Sequence, residues 1–342
     1  MNASKSQRPT IALAMGDPAG ISPELTAKIV ALDEARAAAR IVVIGDKRVF
    51  DDGAAVAKLR PEIDVIGAGD ALPADSQRPL FIDLKHLDPT AIKRGVASQA
   101  GGAFALANYD HALKRVAAGQ AQAVCFTPFN KQAMRMALPS YDDEIQFTAD
   151  TLGITTAATE FNVLDRLWNA RVTSHVPLSE VARLITIDAV VKALELTHRS
   201  LRAAGFNPPR IAVAGLNPHA GDGGNFGREE IDVIEPAVRL SCERGFAALG
   251  PYPADTVFVR ARGGAFDAVL TMYHDQGQIA MKLMGFDRGV TVLGGFPFPI
   301  CTPAHGTAYE IAGQGVANLG ATRAALLLAA EMATRAAAHG LA

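Results

Sequence analysis

The chain alternates short apolar runs, each stopped by glycine, proline or a polar turn, with longer stretches of helical periodicity. Thr10 to Met15, Ile41 to Ile44, Ala123 to Phe126, Ile211 to Ala214 and Ala268 to Met272 are nearly continuous in apolar residues, as strands covered on both faces require. Ser22-Pro23-Glu24 opens a helix with a capping hydroxyl, a first-turn proline and a carboxylate at the positive end of the dipole. Residues 103–118 read as a second helix. The alanine-rich run 321–338, carrying Arg323, Glu331 and Arg335, reads as a packed last helix ending near Gly340. Strand, Gly-rich turn and helix in succession predict an α/β fold.

At 342 residues the chain exceeds a typical single domain, which favours two α/β lobes. Net charge is −2 with both signs dispersed, so no basic stripe for nucleic acid and no polybasic segment for a membrane is present. A small molecule is the expected partner. Cys125, Cys242 and Cys301 lie far apart with no Cys-x-x-Cys pair, which points to reduced thiols in a cytoplasm. The apolar run from Ile11 to Met15 is too short for a secretion signal or a membrane span.

Candidate chemistry gathers where apolar runs end. His175, His219 and His274 each follow such a run inside a turn-capable segment, Thr173-Ser174-His175-Val176-Pro177, Leu216-Asn217-Pro218-His219-Ala220-Gly221 and Met272-Tyr273-His274-Asp275-Gln276-Gly277. Three imidazoles suit zinc or a similar divalent ion and leave coordination positions open for substrate. Their spacing is far too long for a zinc finger, so only a folded domain brings them together, and a single histidine is more often a surface or core residue than a ligand.

Gly16-Asp17-Pro18-Ala19-Gly20-Ile21-Ser22-Pro23-Glu24 places a turn before a helix N-terminus, either to face an anion with free N–H groups or as an ordinary strand-to-helix turn. Thr127-Pro128-Phe129-Asn130-Lys131 sets a hydroxyl and an ammonium at a strand end, suited to a carboxylate or phosphate; its plainer reading is a solvated loop lysine. Lys282 reaches the neighbourhood of His274 if the intervening residues are helical. The glycine-dense segment from His305 to Asn318 is more elaborate than turning the chain requires.

That last segment resembles the adenosine-binding loop of isocitrate and isopropylmalate dehydrogenases, which implies NAD contacts from His305, Gly306, Thr307, Ala308 and Asn318. Gly16–Ile21, Ser174–Leu178, Leu216–Gly221, Gly250-Pro251-Tyr252-Pro253-Ala254-Asp255-Thr256 and His274–Gly277 resemble, in order, the 4-hydroxythreonine-4-phosphate dehydrogenase family of pyridoxine biosynthesis. The resemblance runs from Gly16 to Asn318. It implies a two-lobed α/β architecture like that of isocitrate dehydrogenase with a cleft between lobes, one lobe from 1–134 with 300–342 and a second from 135–299 carrying metal ligands and dimer contacts. It further implies NAD-dependent oxidation of a β-hydroxy acid with decarboxylation, in a homodimer with its active site at the interface. His175, His219 and His274 become the ligands of a divalent ion (Zn, Mg, Mn or Co), Lys282 a substrate-binding lysine and Asp255 a cleft carboxylate. Asp275 is expected to orient His274. Asp255, Lys131 and Lys282 are the candidates for proton transfer.

The chain also departs from that family. The family's Gly-His-Thr-Glu-Phe segment, whose His and Thr contact the phosphorylated substrate, corresponds to Asp143-Glu144-Ile145-Gln146-Phe147; a family asparagine corresponds to Thr291 and a family arginine falls at Ile300. Glu144 and Ile145 make a poor environment for phosphate. The expectation is a different, non-phosphorylated β-hydroxy acid, with the phosphorylated threonine derivative or a terephthalate cis-dihydrodiol as alternatives. A metal-dependent hydrolase or a non-catalytic ligand sensor using the same histidines is the reading from another class.

Overall fold

The protein is described from a computed structural model covering residues 8–73 and 76–338. The expected end of the last helix near Gly340 lies outside the described residues. Among them are twelve strands: β1 (Thr10–Ala14), β2 (Arg40–Gly45), β3 (Asp64–Gly67), β4 (Leu80–Asp83), β5 (Ala123–Phe126), β6 (Thr159–Leu164), β7 (Leu167–Arg171), β8 (Ile211–Ala214), β9 (Ala248–Tyr252), β10 (Ala268–Thr271), β11 (Val290–Gly294) and β12 (Ile300–Pro303). The helices are α1 (Ser22–Ala31), α2 (Asp33–Ala38), α3 (Lys47–Val56), α4 (Gln99–Ala117), α5 (Lys131–Ala137), α6 (Glu144–Leu152), α7 (Leu178–Leu184), α8 (Ile187–Ala203), α9 (Glu235–Glu243), α10 (Ala254–Arg262), α11 (His274–Gly285) and α12 (Gly320–Ala338). None is long and apolar enough to cross a membrane.

By packing, the chain divides into two compact units, the first drawn from Met1–Thr156 and Phe296–Ala342, the second from Ala157–Gly295. Residues 135–156, placed with the second lobe from sequence, therefore belong to the first. The reason is local: α5 and α6 both pack against α4, and Tyr109 of α4 stacks on Phe147 of α6 at 5.8 Å.

The first unit holds an all-parallel order, β3-β4-β2-β1-β5-β12. Ile11, Leu13, Ile41, Val43 and Phe81 are fully buried, as apolar strands covered by helices demand. Close approach fixes Gly102 of α4, where a Cβ would stand 1.9 Å from the Ala133 carbonyl oxygen of α5. In the second unit the order β11-β6-β7-β10-β8-β9 is antiparallel at β11-β6-β7 and parallel from β7 to β9. Helix α8, capped by Thr186 accepting from the Ala189 N–H, buries Val190, Leu194, Thr197 and Leu201 at the helical period. Trp168 anchors the core against Phe161, ring centroids 5.4 Å apart.

Three histidines away from the candidate turns are held below the ordinary imidazole value. Burial lowers the pKa of His86, stacked on Phe104, of His111, which also accepts a hydrogen bond from the cationic Arg115, and of His198. Because the folded-state pKa values lie below the ordinary 6.5, the unfolded chain binds these protons first; stability is full above that pH and falls as pH drops through the folded values. Asp46 does not contribute in this window: burial opposes its ionisation, but Arg48 and the Leu87 N–H hold it at about 2. Thermal melts are expected to drop as pH falls through and below 6.5. An unchanged or rising midpoint would contradict this.

Candidate functional site

The three candidate ligand turns lie in the second unit, at or just beyond the carboxyl ends of β7, β8 and β10, where α/β proteins bind ligands. Hydrogen bonds join their roots. The Thr173 hydroxyl and N–H both donate to the Met272 carbonyl, at 2.8 and 3.1 Å, tying the His175 turn to the His274 turn. Gln276 accepts from the Met272 N–H at 2.7 Å and donates to the Gly215 carbonyl at 2.8 Å, tying the His274 turn to the foot of the His219 turn.

The His175 and His274 rings stand 5.4 Å apart between centroids. His274 opens α11 with Nδ1 against Asp275 Oδ1 at 2.7 Å, which leaves Nε2 as the free donor atom of the ring. His219 is exposed, its ring 6.1 Å from that of Phe226. Among the described residues no group of three or more His, Cys, Asp or Glu side chains is gathered in a way that could hold a metal ion. The chain thus brings two of the three imidazoles together and ties the third only through its backbone.

Backbone geometry marks the same turns. His175 has φ +50°, and His219, Ala220, Gly221, Asp222 and Gly223 form an unbroken left-handed run with φ from +45° to +83°. Non-glycine residues hold that conformation at a cost, and persist in it only where the surroundings over-determine it. Glu230 supplies the determination: 1 % exposed, it accepts from the N–H groups of Leu216 and Asn217, both at 2.7 Å, and from the Asn217 side chain at 3.0 Å. Gly215 and Gly221 leave the room, since a Cβ on either would stand 3.0 or 2.7 Å from its carboxylate.

Lys282 lies on α11 two turns after His274, exposed, with its ammonium 6.0 Å from the Phe286 ring. Asp255 is exposed in the first turn of α10. Thr291 is half-buried on β11, in register with Asn162 of β6. Ile300 is fully buried in β12 beside Val124, so its side chain belongs to the core and not to a ligand contact.

The first unit carries the remaining candidates. Lys131 starts α5 and Glu144 starts α6, Nζ to Oε2 3.2 Å, with Ile145 half-buried beside them. The 305–318 loop is tethered at several points: the Thr307 carbonyl accepts from the Ile21 N–H at 3.0 Å, the Tyr309 hydroxyl donates to Asp17, and Ala317 exchanges contacts with Glu24 and Lys28, its N–H donating and its carbonyl accepting at 2.8 Å each. Burial raises the pKa of Asp17, against the Tyr309 and Ala19 hydrogen bonds that lower it. Ala308 is left-handed at φ +43°, His305 Nδ1 lies 3.0 Å from the Gly306 carbonyl oxygen, and Asn318 caps the Gly320 N–H at 2.8 Å. A Cβ on Gly306 would meet nothing within 4 Å, so the backbone there is open to a ligand.

The turn from Gly16 is not an anion cradle. Its N–H groups are committed internally, Gly16 to Thr127 Oγ1, Asp17 to the Pro128 carbonyl, Ala19 and Gly20 to Asp17 and Ile21 to Thr307, and every residue from Gly16 to Glu24 is buried. It serves as the bed of the 305–318 loop. Sequence reasoning also missed Glu230, Gln276 and Thr173. Gln276 was within reach, inside the His-Asp-Gln-Gly motif, whereas Glu230 stands in Arg228-Glu229-Glu230, which reads as a solvated charge run.

The chain is similar to known proteins along most of its length. The family described as pyridoxal phosphate biosynthetic protein PdxA matches residues 37–329. A Rhizobium meliloti protein, provisionally named 4-hydroxythreonine-4-phosphate dehydrogenase 2, is 59% identical over 97% of this chain and 95% of its own. The crystal structure of a Burkholderia phymatum 4-hydroxythreonine-4-phosphate dehydrogenase superposes with TM-score 0.81 at 34% identity, covering 95% of this chain and 98% of that one. A terephthalate 1,2-cis-dihydrodiol dehydrogenase from Burkholderia xenovorans LB400 gives 0.63 at 26% identity, over 92% and 98%.

Proposed function

The chain belongs to the PdxA family of pyridoxal phosphate biosynthetic proteins, and from that premise we propose that it is an NAD- and divalent-metal-dependent dehydrogenase that oxidises and decarboxylates a non-phosphorylated β-hydroxy acid. The observation that carries the reading is the stapled set of histidine turns, with His175 and His274 5.4 Å apart and Nδ1 of His274 anchored by Asp275. Imidazole nitrogens are the donors a zinc-like ion prefers, so His175, His219 and His274 would be its holders, although among the described residues only the His175 and His274 rings stand together. The open backbone at Gly306 and the tethered loop from His305 through Thr307 and Ala308 to Asn318 fit the adenosine end of NAD.

Bound there, a divalent ion would supply the charge that polarises a hydroxyl or carbonyl oxygen, and NAD would supply the hydride acceptor. The chain's own residues do the rest. Lys282 holds the substrate carboxylate by charge, and Asp255, Lys131 and Lys282 are the groups able to take the hydroxyl proton or return one to carbon. Lys131 is the least free of the three, because Glu144 already engages its ammonium. That pairing supports a substrate without phosphate.

The family's name-giving activity on 4-hydroxythreonine 4-phosphate is the second reading, favoured by the 59% identical relative. Steady-state NADH formation on a panel of β-hydroxy acids, cis-dihydrodiols and the phosphate ester, with divalent metal supplied, separates the two. Turnover of non-phosphorylated acids is expected; full efficiency on the phosphate ester would give the second reading precedence.

We infer a homodimer that completes the metal centre. Ile279, Leu283 and Phe286 put an exposed apolar stripe on and just after α11, Leu283 at 84 % exposure, on the element that His274 opens. Sedimentation is expected to give a dimer that Leu283→Glu weakens; a monomeric wild type would overturn this.

A further inference from the structure

Glu24 and Lys28 stand one turn apart on α1, the spacing at which a carboxylate and an ammonium on a solvated helix face pair for little gain. Here the pair is sunk. The Glu24 side chain is 2% exposed and that of Lys28 20%, with Nζ 2.6 Å from Oε1. Among the described residues, every hydrogen bond that the two side chains make beyond each other goes to the backbone of the 305–318 loop. Glu24 Oε1 accepts from the Ala317 N–H at 2.8 Å, and Lys28 Nζ donates to the carbonyls of Ala317 at 2.8 Å and Gly315 at 3.3 Å. One ion pair therefore satisfies both main-chain groups of a residue that lies outside any strand or helix, as a sheet neighbour would otherwise do. The second oxygen of Glu24 is buried without a partner among the described residues, so the carboxylate is held by Lys28 and the Ala317 N–H.

The rest of this stretch is fitted to the same seat. Ala317 is 4% exposed and clusters with Ile21 and Leu25, while Ala308, Ile311 and Leu319 pack against the three. Gly315, at φ +76°, comes so close to the end of α3 that a Cβ would stand 2.7 Å from the Val56 carbonyl oxygen. Val316 and Asn318, on either side of the buried Ala317, are exposed. A free loop loses backbone entropy when a ligand orders it, and that loss is subtracted from the affinity. A loop already seated on α1 presents Val316 and Asn318 with most of that ordering done in folding.

We propose that Glu24 and Lys28 are positioning residues for the cofactor loop: the buried pair fixes residues 315–318 before a dinucleotide arrives and thereby sets the affinity for it. This rests on the NAD reading above, and the two can fail separately. NAD is titrated calorimetrically into the full chain as wild type, Lys28→Met and Glu24→Gln/Lys28→Met, well below each unfolding midpoint, and amide hydrogen exchange is followed by mass spectrometry without NAD. Lys28→Met is expected to weaken NAD binding by at least about tenfold and to speed exchange across 315–318 while β1 and β5 keep their protection. The neutral double variant strands no buried carboxylate and is expected to show the same loss and no more, as two members of one unit should. It decides the matter if Lys28→Met alone does not fold. NAD affinity within about twofold of wild type in the variants, or exchange at 315–318 as slow as in wild type, overturns the proposal. So does a general rise in exchange that includes β1 and β5, which would mark the pair as a support of the whole unit. A wild type that takes up no NAD contradicts the dehydrogenase reading instead, and the exchange result then decides on its own whether the pair seats the loop.

Discussion

His274→Ala is expected to remove NAD reduction while leaving the fold intact. The side chain is about one-third exposed at the start of α11, where its loss opens no core cavity, so the effect on stability is within about 0.5 kcal/mol. Its effect on the reaction is large, because the several kcal/mol of charge stabilisation that a bound cation provides goes with it, roughly a thousandfold in rate. Asp275→Asn gives the graded companion. It weakens the partner at 2.7 Å from Nδ1 without touching Nε2, and a loss of about 10–100-fold in metal affinity with recovery of rate at saturating metal is expected. Metal titration alongside NADH formation checks both. A His274→Ala enzyme that keeps its rate at saturating metal would contradict the assignment.

The second large effect concerns a residue that never touches the ion. Glu230→Ala strips the acceptor from three donors, the N–H groups of Leu216 and Asn217 and the Asn217 amide, in a site where the carboxylate is 1 % exposed. Each stranded donor costs about 1–3 kcal/mol, so a loss of roughly 3 kcal/mol or more in unfolding free energy is expected. The left-handed run from His219 to Gly223 then lacks its anchor, and metal affinity is expected to fall by about 10–100-fold as His219 loses its place. Glu230→Gln, which keeps one acceptor oxygen, falls between. Denaturant midpoints and metal titration read the two effects separately, and unchanged midpoints in Glu230→Ala would refute the anchoring role.

Five of the strands and three of the helices among the described residues were legible in the sequence, because local pattern determines them. The apolar runs at Ala123 to Phe126 and Ile211 to Ala214 are strands with the same bounds. Helix α1 does begin at Ser22, but the expected capping hydroxyl is not a cap: the N-cap is Ile21, and the Ser22 hydroxyl donates to the Pro128 carbonyl instead. The positions of the histidines at strand ends followed from the same pattern. What escaped depends on contacts distant in sequence. Nothing local distinguishes Glu230 from the solvated charges around it, or reveals that the Gly16–Ile21 N–H groups are consumed by Thr127, Pro128 and Thr307. Residues 135–156 carry no linker signal, and it is the packing of α5 and α6 on α4, with Phe147 stacked on Tyr109, that assigns them to the first unit. Ile300, matched by alignment to a ligand-binding position, is a core residue because β12 pairs with β5 in a sheet covered on both faces.

The most direct test of the metal centre is X-ray absorption on the zinc-loaded full chain, counting imidazole ligands in the wild type and in His175→Ala, His219→Ala and His274→Ala. Three imidazoles in the wild type, with one lost in each variant, is the expected result. A wild-type spectrum dominated by sulfur or carboxylate ligands, or unchanged by the three substitutions, would contradict the account.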